Sequence, residues 1–434
     1  MKDYVVYQPS TFPEFRVAEL ESLASLYNIP LDLSHHDNQS PFLVIPLEND
    51  DQARQLISRA VMSYGIYELW GIGKTYEELH ADVKARSADK FAKYKESSFK
   101  FDFKSYHGKQ SNRSKIKIIE SFGYLEFDGK IDLQNPEETF IVMEEYPYND
   151  KGKSETITNL LFAREIALSQ RASGVVEKYD LKKRKYIGTT SFEAELSLVS
   201  CNLAQVAPGK IVYDPFAGTG SFLVTAANFG GIPIGSDIDI RMVTGKSKDC
   251  NIQSNFEQYG TAGNFVDVLT MDFTHNALRS DLQIDTILCD PPYGVREGLR
   301  VLGAKNEDKA AGREKHVYNG ETAYLRREFI PPKKPYQLSS LLEDLLQFAS
   351  ERLPIGGRLA FWMPTANDNF EETIIPQHKS LELLHCLEQS FNQWSRRLVV
   401  YVKRDESYQG VTSNGLKEKN IKDFRERYFK KFAD

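Results

Sequence analysis

The sequence contains few cysteines and no long apolar run. Its four cysteines are scattered through 434 residues and form no CxxC pair: Cys201, Cys250, Cys289 and Cys386. This spacing predicts reduced, buried thiols and no zinc site. No stretch of eighteen apolar residues occurs, and the first residues lack the apolar core of a secretory signal. We therefore expect no membrane span, no bound metal and a cytoplasmic location.

The sequence also lacks an excess of positive charge. Lys and Arg number 55 against 61 Asp and Glu, so the formal net charge is −6 and the sequence pI is about 5.9. This balance excludes a protein that holds nucleic acid by bulk charge alone. Three stretches are nevertheless locally basic, and each is either a phosphate-binding patch or a solvated loop: residues 91–118, 178–185 and 296–336.

Two kinds of hydrophobic pattern divide the chain. Residues 1–85 alternate strand-like and helix-like segments, which predicts a small α+β domain in which 50–70 form one helix. Within residues 86–170, the segment 97–109 alternates aromatic and lysine residues, and two further strands are predicted at 139–146 and 159–168. Residues 171–190 are predicted to form a basic linker, and residues 191–405 a third domain. Residues 406–434 are predicted to form a polar tail that could include a short charged helix.

The third domain alternates strands with helices. This order predicts a doubly wound, mostly parallel α/β sheet, which binds ligands at the carboxyl ends of its strands. An acidic residue follows each of four predicted strands: Asp214, Asp237, Asp272 and Asp290. We therefore expect the four acids at one edge of the sheet, around a shared site.

A nucleotide-like ligand fits the first three acids. Gly218 and Gly220 follow the first strand without the lysine of a phosphate-binding loop. Asp237 lies seventeen residues after Gly220, near the distance at which such sheets place the acid that binds ribose hydroxyls. Asp272 could accept a hydrogen bond from an adenine amine while Phe273 packs on the base. Alternatively, Asp272 could cap a helix. An acidic site of this kind disfavours ATP and suits a phosphate-free cation, S-adenosylmethionine.

The stretch LCDPPYG, residues 288–294, ends the fourth predicted strand. Its two prolines, Pro291 and Pro292, remove two backbone donors, and the first keeps Asp290 out of helical geometry. The turn presents a carboxylate, free carbonyl groups and the ring of Tyr293. This composition predicts a turn that faces a ligand; the alternative is a proline-stiffened loop without a catalytic role.

Two motifs together carry a family resemblance. DPFAGTGS at 214–221, followed by DPPY at 290–293, resembles the class I S-adenosylmethionine-dependent methyltransferases that modify exocyclic amines of bases. The resemblance implies that Asp290 and the carbonyl group of Pro291 accept hydrogen bonds from the target amine, while Tyr293 stacks on the base. An aromatic amine is a poor nucleophile, and two acceptors on its protons localise its lone pair toward the methyl group.

Longer segments are similar to a narrower family. Residues 178–206, 325–336 and 353–365 resemble the catalytic subunits of eukaryotic tRNA guanine-N2 methyltransferases that act at position 10. This resemblance implies a Rossmann-like methyltransferase domain after a ferredoxin-like domain (1–85) and a THUMP-like RNA-binding domain (86–170). It also implies a tRNA substrate and a small zinc-binding activating subunit. The alternatives are methylation of another RNA or of DNA adenine, and an inactive RNA-binding scaffold.

The resemblance implies roles for residues outside the catalytic turn. Cofactor contacts are expected from Ser191, Phe192, Asp214, Phe216, Gly218, Gly220, Asp237, Asp272 and Phe273, although Ser191 could instead cap a helix. Contacts with RNA phosphates are expected from Lys182, Lys183, Arg184, Lys185, Arg326 and Arg327. An apolar strand at 265–271 is expected at an edge of the sheet, where the partner would add a strand.

Overall fold

The computed structural model divides the chain into two compact units, residues 1–175 and 176–434. It describes residues 1–430 except 34–35, 37–38, 149–155, 295–298, 304–315, 319, 323–324 and 326–330. Every structural statement below refers to the described residues.

The first unit is built on one six-stranded sheet. Its strands are β1 (Lys2–Tyr7), β2 (Phe42–Leu47), β3 (Gly65–Gly73), β4 (Phe99–Tyr106), β5 (Glu138–Glu145) and β6 (Asn159–Leu168). Its helices are α1 (Glu14–Tyr27), α2 (Asp50–Ile57), α3 (Tyr76–Tyr94) and α4 (Asn112–Ser121). The strand order is β2-β1-β3-β6-β5-β4, and only the β4–β5 pair is parallel. The strands predicted at 139–146 and 159–168 are therefore confirmed as β5 and β6.

The structure differs from the sequence prediction at two places in this unit. A single helix over 50–70 is wrong, because α2 ends at Ile57 and residues 65–73 form β3. Glycine at position 71 lets α3 approach the strand, since a Cβ there would lie 2.3 Å from Val83 Cγ2. The boundary predicted at residues 85–86 falls inside α3, so the two predicted domains share one helix and one sheet.

The second unit contains a seven-stranded sheet. Its strands are β7 (Ile211–Asp214), β8 (Ile232–Asp237), β9 (Asp267–Thr270), β10 (Thr286–Cys289), β15 (Arg358–Ala366), β16 (Leu381–Ser390) and β17 (Trp394–Lys403). Between β10 and β15 lie the short strands β11 (Arg300–Leu302), β12 (Val317–Tyr318), β13 (Glu321–Thr322) and β14 (Lys333–Pro335). The main order is β16-β17-β15-β10-β7-β8-β9. Strands β15, β10, β7, β8 and β9 are mutually parallel, and β17 runs antiparallel to both neighbours.

Helices surround this sheet and complete the predicted doubly wound arrangement. They are α5 (Val175–Lys178), α6 (Ala194–Leu203), α7 (Ser221–Asn228), α8 (Ile240–Thr244), α9 (Ile252–Tyr259), α10 (Leu338–Arg352) and α11 (Glu418–Lys430). Leucines of α10 pack with Ile287 and Phe361 in one core. Trp362, the next residue on β15, donates from Nε1 to Ser200 Oγ of α6 at 3.2 Å. Because successive strand residues face opposite sides, helices cover both faces.

The predicted linker and tail both contain packed segments. In the linker range, Tyr179 and Tyr186 are buried, and the Tyr186 backbone exchanges two hydrogen bonds of 2.9 Å with the side chain of Asn255. In the tail range, the charged segment forms α11, and Phe424 is 2 % exposed. Sequence reasoning also missed β16, whose residues carry no regular alternation of burial.

The sequence predicts no membrane-spanning helix and no metal site, and the described residues bear on both expectations. No helix there is long and apolar enough to cross a bilayer. Nor do three or more His, Cys, Asp or Glu side chains group there in a way that could hold a metal ion. All four cysteines are free; Cys201 and Cys289 are buried, while Cys250 and Cys386 are partly exposed.

Candidate active site

The parallel strands bring three of the four predicted acids into one site. Asp214 closes β7, Asp237 closes β8 and Asp290 follows β10. Asp214 is 1 % exposed, and its Oδ1 accepts the N–H of Phe216 at 2.9 Å. Burial raises the pKa of Asp214 well above its usual value, and the charges of Asp237 and Asp290 add to this. Asp214 is therefore close enough to Asp237 and to Asp290 for the charge of each to act on it, and this concentration of acidic groups favours a cationic ligand.

The loop after β7 has a backbone that glycine adopts most readily. Gly218 and Gly220 have φ angles of 52° and 81°. Asp237 accepts the Gly218 N–H at 2.8 Å through Oδ2 and the Asp239 N–H at 2.8 Å through Oδ1. A Cβ built on Gly218 would have no atom closer than 4.0 Å beyond the adjoining residues. A half-buried carboxylate thus lies beside open space, as a site for ligand hydroxyls requires.

The segment before α6 lies against this glycine loop. Ser191 Oγ is 2.7 Å from Thr219 Oγ1, and the N–H of Phe192 donates to Ser221 Oγ at 3.1 Å. The N-cap of α6 is Glu193, which makes no capping side-chain hydrogen bond. Ser191 therefore supports the loop and does not cap the helix. Phe192 is 3 % exposed and supports the same loop from the core.

Asp272 is the fourth acid, and its oxygens are already occupied. Oδ1 accepts from the N–H and the hydroxyl of Thr274 at 2.9 and 3.0 Å. Oδ2 accepts the Leu302 N–H at 2.6 Å and lies 3.1 Å from His275 Nδ1. A carboxylate has about four lone-pair sites, so these contacts fill them. The structure therefore corresponds to the second sequence alternative, in which Asp272 caps the short helix Phe273–His275.

The groups around the glycine loop fit a phosphate-free nucleotide cofactor. Asp237 offers a carboxylate to ribose hydroxyls, and burial raises the pKa of this carboxyl. The Phe216 ring is partly exposed and can face a base, while Phe273 is 6 % exposed and packs edge-on against it at 5.4 Å. Three carboxylates nearby suit a positive charge on the ligand. The residues present thus match the adenosine and the sulfonium of S-adenosylmethionine.

The turn after β10 is closed on itself. The hydroxyl of Tyr293 donates to Asp290 Oδ1. Pro291 is buried, Pro292 is exposed, and Gly294 has a φ of 68°. A ligand amine must therefore displace the Tyr293 hydroxyl from Oδ1 or bind at Oδ2. The predicted catalytic residues do lie together, beside the acids that end β7 and β8.

Arg396 is a charged residue of this site that sequence reasoning missed. Its guanidinium lies 4.1 Å from the ring centroid of Phe192 and 5.1 Å from that of Trp362, and it pairs with Glu193 Oε1 at 3.0 Å. Burial raises the pKa of Asp290 to about 6, and the positive charge of Arg396 opposes that rise. Arg396 lies on β17, far along the chain from the turn, so no local motif reveals it.

Replacing Arg396 with methionine should shift the acid limb of the activity profile to higher pH. Asp290 must be ionised to accept from an amine, so activity rises with pH as Asp290 loses its proton near pH 6. Without the cation the pKa of Asp290 rises further. If the limb moves by about one pH unit, kcat/KM falls about fivefold at pH 6 and approaches a tenfold loss at lower pH. The measurement is kcat/KM for methyl transfer from pH 5 to 9. Arg396→Lys is the control that keeps the charge, and an unshifted limb in the methionine variant would contradict this role.

The basic residues predicted to contact RNA have different surroundings. Lys182, Lys183 and Lys185 are exposed. Arg184 is 4 % exposed, and its Nη1 donates to Ser221 Oγ at 2.9 Å beside the glycine loop. Its guanidinium is therefore held inside the unit and is not placed to meet a phosphate. The remaining two predicted contacts, Arg326 and Arg327, lie outside the described residues.

Known proteins with similar sequences identify the family. Residues 2–171 match the Tmrp11 THUMP N-terminal domain model, and residues 182–301 match the RMKL-like methyltransferase domain model. The tRNA (guanine(10)-N(2))-methyltransferase of Saccharomyces cerevisiae is 55 % identical over 436 residues, which cover 100 % of both chains. The chain belongs to the tRNA (guanine(10)-N(2))-methyltransferase family. This membership confirms the predicted fold class, a class I methyltransferase domain after a THUMP-containing region.

More distant members of this family extend the match along the whole chain. The tRNA (guanine(10)-N(2))-methyltransferase of Schizosaccharomyces pombe is 33 % identical over 99 % of this chain and 96 % of its own length. The Homo sapiens tRNA (guanine(10)-N(2))-methyltransferase TRMT11 is 34 % identical over 98 % of this chain and 95 % of its own. The family resemblance drawn from the sequence motifs is therefore confirmed for both units.

Proposed function

We propose that this chain transfers a methyl group from S-adenosylmethionine to the exocyclic N2 amine of guanine 10 in tRNA. The observation that carries the proposal is the DPPY turn, in which Asp290 is close enough to Asp214 for its charge to act on that group, as is Asp237 from the next strand. This arrangement joins an acceptor for an aromatic amine to a site that fits an adenosyl cation. The names of the related proteins supply the nucleotide and its position.

The residues of the turn act on the amine of the target base. Bound S-adenosylmethionine supplies a methyl carbon that is electrophilic because it is attached to a sulfonium. Asp290 and the Pro291 carbonyl accept hydrogen bonds from the two amine protons and so aim the nitrogen lone pair at that carbon. Asp290, with a pKa of about 6, can receive the proton that the methylated amine releases. Tyr293 stacks on the base once its hydroxyl leaves Oδ1.

Exposed lysines of the second unit support the assignment to RNA. Lys182, Lys183 and Lys185 follow one another closely in the segment that leads to the glycine loop. We assign them to contacts with the tRNA backbone, which fix position and carry no base specificity. The base itself must leave its stack to reach the carboxylates at the edge of the sheet.

A comparison of nucleic-acid substrates tests this proposal. The chain is incubated with labelled S-adenosylmethionine and, in separate reactions, with unmodified tRNA, the same tRNA carrying adenine at position 10, and double-stranded DNA. We expect label only in the tRNA with guanine 10. Label in DNA would favour the adenine alternative. Measured cofactor binding without any transfer, whether or not the proposed partner subunit is present, would favour the inactive scaffold.

A small zinc-binding partner is proposed to bind at the edge strand β9. The predicted edge position is confirmed, because β9 ends the strand order and pairs with β8. Val268 is 6 % exposed and faces the core, whereas Val266 and Leu269 are 55 % and 40 % exposed. An exposed apolar edge is a surface to which a partner strand can be added. Because Val268 is internal, the exposed Leu269 is the residue of this strand whose substitution can report on the partner.

Leu269→Glu should therefore weaken the complex with the partner. The side chain is exposed, so the fold should survive while a charge enters the interface; we expect the dissociation constant to rise about tenfold or more. Leu383→Glu is the matched control, since Leu383 is 37 % exposed on β16, the strand at the opposite edge. Co-purification followed by a titration measures both variants. Equal partner binding by Leu269→Glu and the wild-type chain would place the interface elsewhere. A cytoplasmic location for the complex stays a prediction.

A further inference from the structure

The C-terminal helix α11 packs beside the catalytic turn. Phe424, at 2 % exposure, lies with its ring centroid 6.3 Å from that of Tyr293 and nearly perpendicular to it, at 84°. Trp394, the first residue of β17, is 5.4 Å from Phe424 and 5.4 Å from Tyr428. The ring expected to stack on the target base therefore packs against a helix from the end of the chain.

The same helix is tied to the carboxyl edge of the sheet. Arg427 pairs with Asp368, which follows the end of β15. Leu416, Ile421 and Phe424 line a small cavity together with residues of β15, including Pro364. Since β15 runs parallel to β10, its carboxyl end lies at the edge that also carries Asp290. The helix thus covers the side of the sheet on which the chemistry takes place.

The outer face of α11 is basic. Among the side chains of α11 that the structure describes, Lys419, Lys422, Arg425 and Glu426 are exposed. On a helical projection Lys419, Lys422 and Glu426 lie on the side away from Phe424, while Arg425, four residues after Ile421, is exposed at the border of the packed face. The chain as a whole is acidic, with a net charge of −6, so a basic face beside the active site runs against the overall charge. A polyanion that approaches the catalytic edge meets this face.

We propose that α11 is a substrate-binding element, whose outer face contacts the RNA backbone next to the target nucleotide and whose inner face positions Tyr293. This inference rests on the proposed RNA methyltransferase function and adds a binding surface to it. Lys419 and Arg425 carry the backbone contacts. Phe424 is a positioning residue, because it acts on the base through the ring of Tyr293.

Charge reversal on the outer face tests the first half of this proposal. In the full-length chain, Lys419→Glu/Arg425→Glu should raise the Kd for unmodified tRNA about tenfold and lower the salt dependence of binding by about one unit of log–log slope per lost contact. The double variant Lys210→Glu/Lys379→Glu is the matched control. Lys210 precedes β7 and Lys379 precedes β16. Both therefore lie where the parallel strands begin, at the end of the sheet away from the catalytic turn. Binding by the control should match the wild-type chain.

The outcomes separate this proposal from the proposed function. If the wild-type chain binds and methylates tRNA while both double variants bind as tightly as it does, the helix proposal is overturned and the function stands. The same conclusion follows if both variants weaken binding equally, because the effect is then one of general charge. A wild-type chain that neither binds nor methylates tRNA overturns both.

Replacement of Phe424 tests the second half. Phe424→Ala should lower kcat about tenfold and leave the KM for tRNA within twofold, because the backbone contacts remain. Phe424→Tyr should restore most of the loss, since an aromatic ring again meets Tyr293. Ile421→Ala is the control on the same face of the helix; it loosens the packing without touching the catalytic turn. If Ile421→Ala lowers kcat as much as Phe424→Ala does, the role of Phe424 is only structural and the positioning role is overturned.

Discussion

Replacing Asp290 with asparagine should lower kcat for methyl transfer about 10³-fold, with a much smaller loss of affinity for the cationic cofactor. The carboxylate of Asp290 accepts a hydrogen bond from the target amine. An asparagine amide would present to that amine either its oxygen, a weaker acceptor, or its NH2 group, a competing donor. Losses of about 10²–10³ are typical when one preorganised polar group of an active site is removed. Stability should not fall, because burial raises the pKa of Asp290 to about 6. Above that pH the ionised carboxylate costs folding free energy that asparagine does not.

The variant Asp344→Asn is the matched control for this experiment. Asp344 also accepts a tyrosine hydroxyl, from Tyr336 at 2.6 Å, but it lies on α10 and outside the catalytic turn. Single-turnover transfer from labelled S-adenosylmethionine measures both variants, and thermal melting reports on their folding. A tenfold or smaller loss in Asp290→Asn would show that the turn only positions the base. An equal loss in Asp344→Asn would show that the effect is not specific to the turn.

Replacing Asp237 with alanine should weaken cofactor binding about 10- to 100-fold. Hydrogen bonds to a charged group are worth about 1.5–3 kcal/mol, and a ribose would lose its carboxylate acceptor. The change also removes the 2.8 Å contact that holds the Gly218 N–H and with it the shape of the glycine loop. Both effects act in the same direction. Calorimetric titration with S-adenosylmethionine measures the result directly and needs no tRNA.

The variant Asp285→Ala separates cofactor binding from general damage to the sheet. Asp285 Oδ2 accepts the N–H of Ile211 at 2.8 Å, at the amino end of β7. It therefore makes a similar carboxylate–backbone contact at the edge away from the site. Asp285→Ala should lower the melting temperature and leave the cofactor Kd within twofold. If Asp237→Ala binds the cofactor as tightly as the wild-type chain, the ribose site is elsewhere.

Much of the second unit could be predicted because its signals are local. A strand that is followed by an acidic residue, such as Asp214 or Asp237, can be recognised from the residues next to it in the sequence. The parallel order then follows from the alternation of strands with helices, and it places the carboxyl ends at one edge. The edge position of β9, in contrast, was implied by the family resemblance, and the strand order confirms it.

The errors in the fold arise where tertiary packing decides the local structure. Residues 65–70 were predicted as the end of a helix, yet they belong to strand β3, and Gly71 and Gly73 let α3 lie close to that strand. The segment around Tyr179 and Tyr186 has few large apolar residues, but these two are buried against the second unit. The composition of this segment predicted a linker, because composition does not show which side chains pack against the rest of the unit.

In the candidate site, too, tertiary contacts decide roles that the sequence alone does not show. Asp272 has the position of a cofactor ligand in sequence, and only the contacts of its oxygens show that it serves as a cap. Arg396 and Phe424 reach the catalytic turn from β17 and α11, more than a hundred residues away along the chain. No motif of fixed spacing can record such contacts, since they depend on how distant strands and helices are placed.

The measurement that tests the central claim most directly is the identity of the methylated nucleoside. Unmodified tRNA is treated with the wild-type chain and with Asp290→Asn, each with and without the small partner subunit, and the digested nucleosides are separated by liquid chromatography with mass spectrometry. We expect N2-methylguanosine, formed at position 10 by the wild-type chain and lost in the variant. Methyladenosine as the product, or N2-methylguanosine formed equally well by Asp290→Asn, would contradict the proposed reaction.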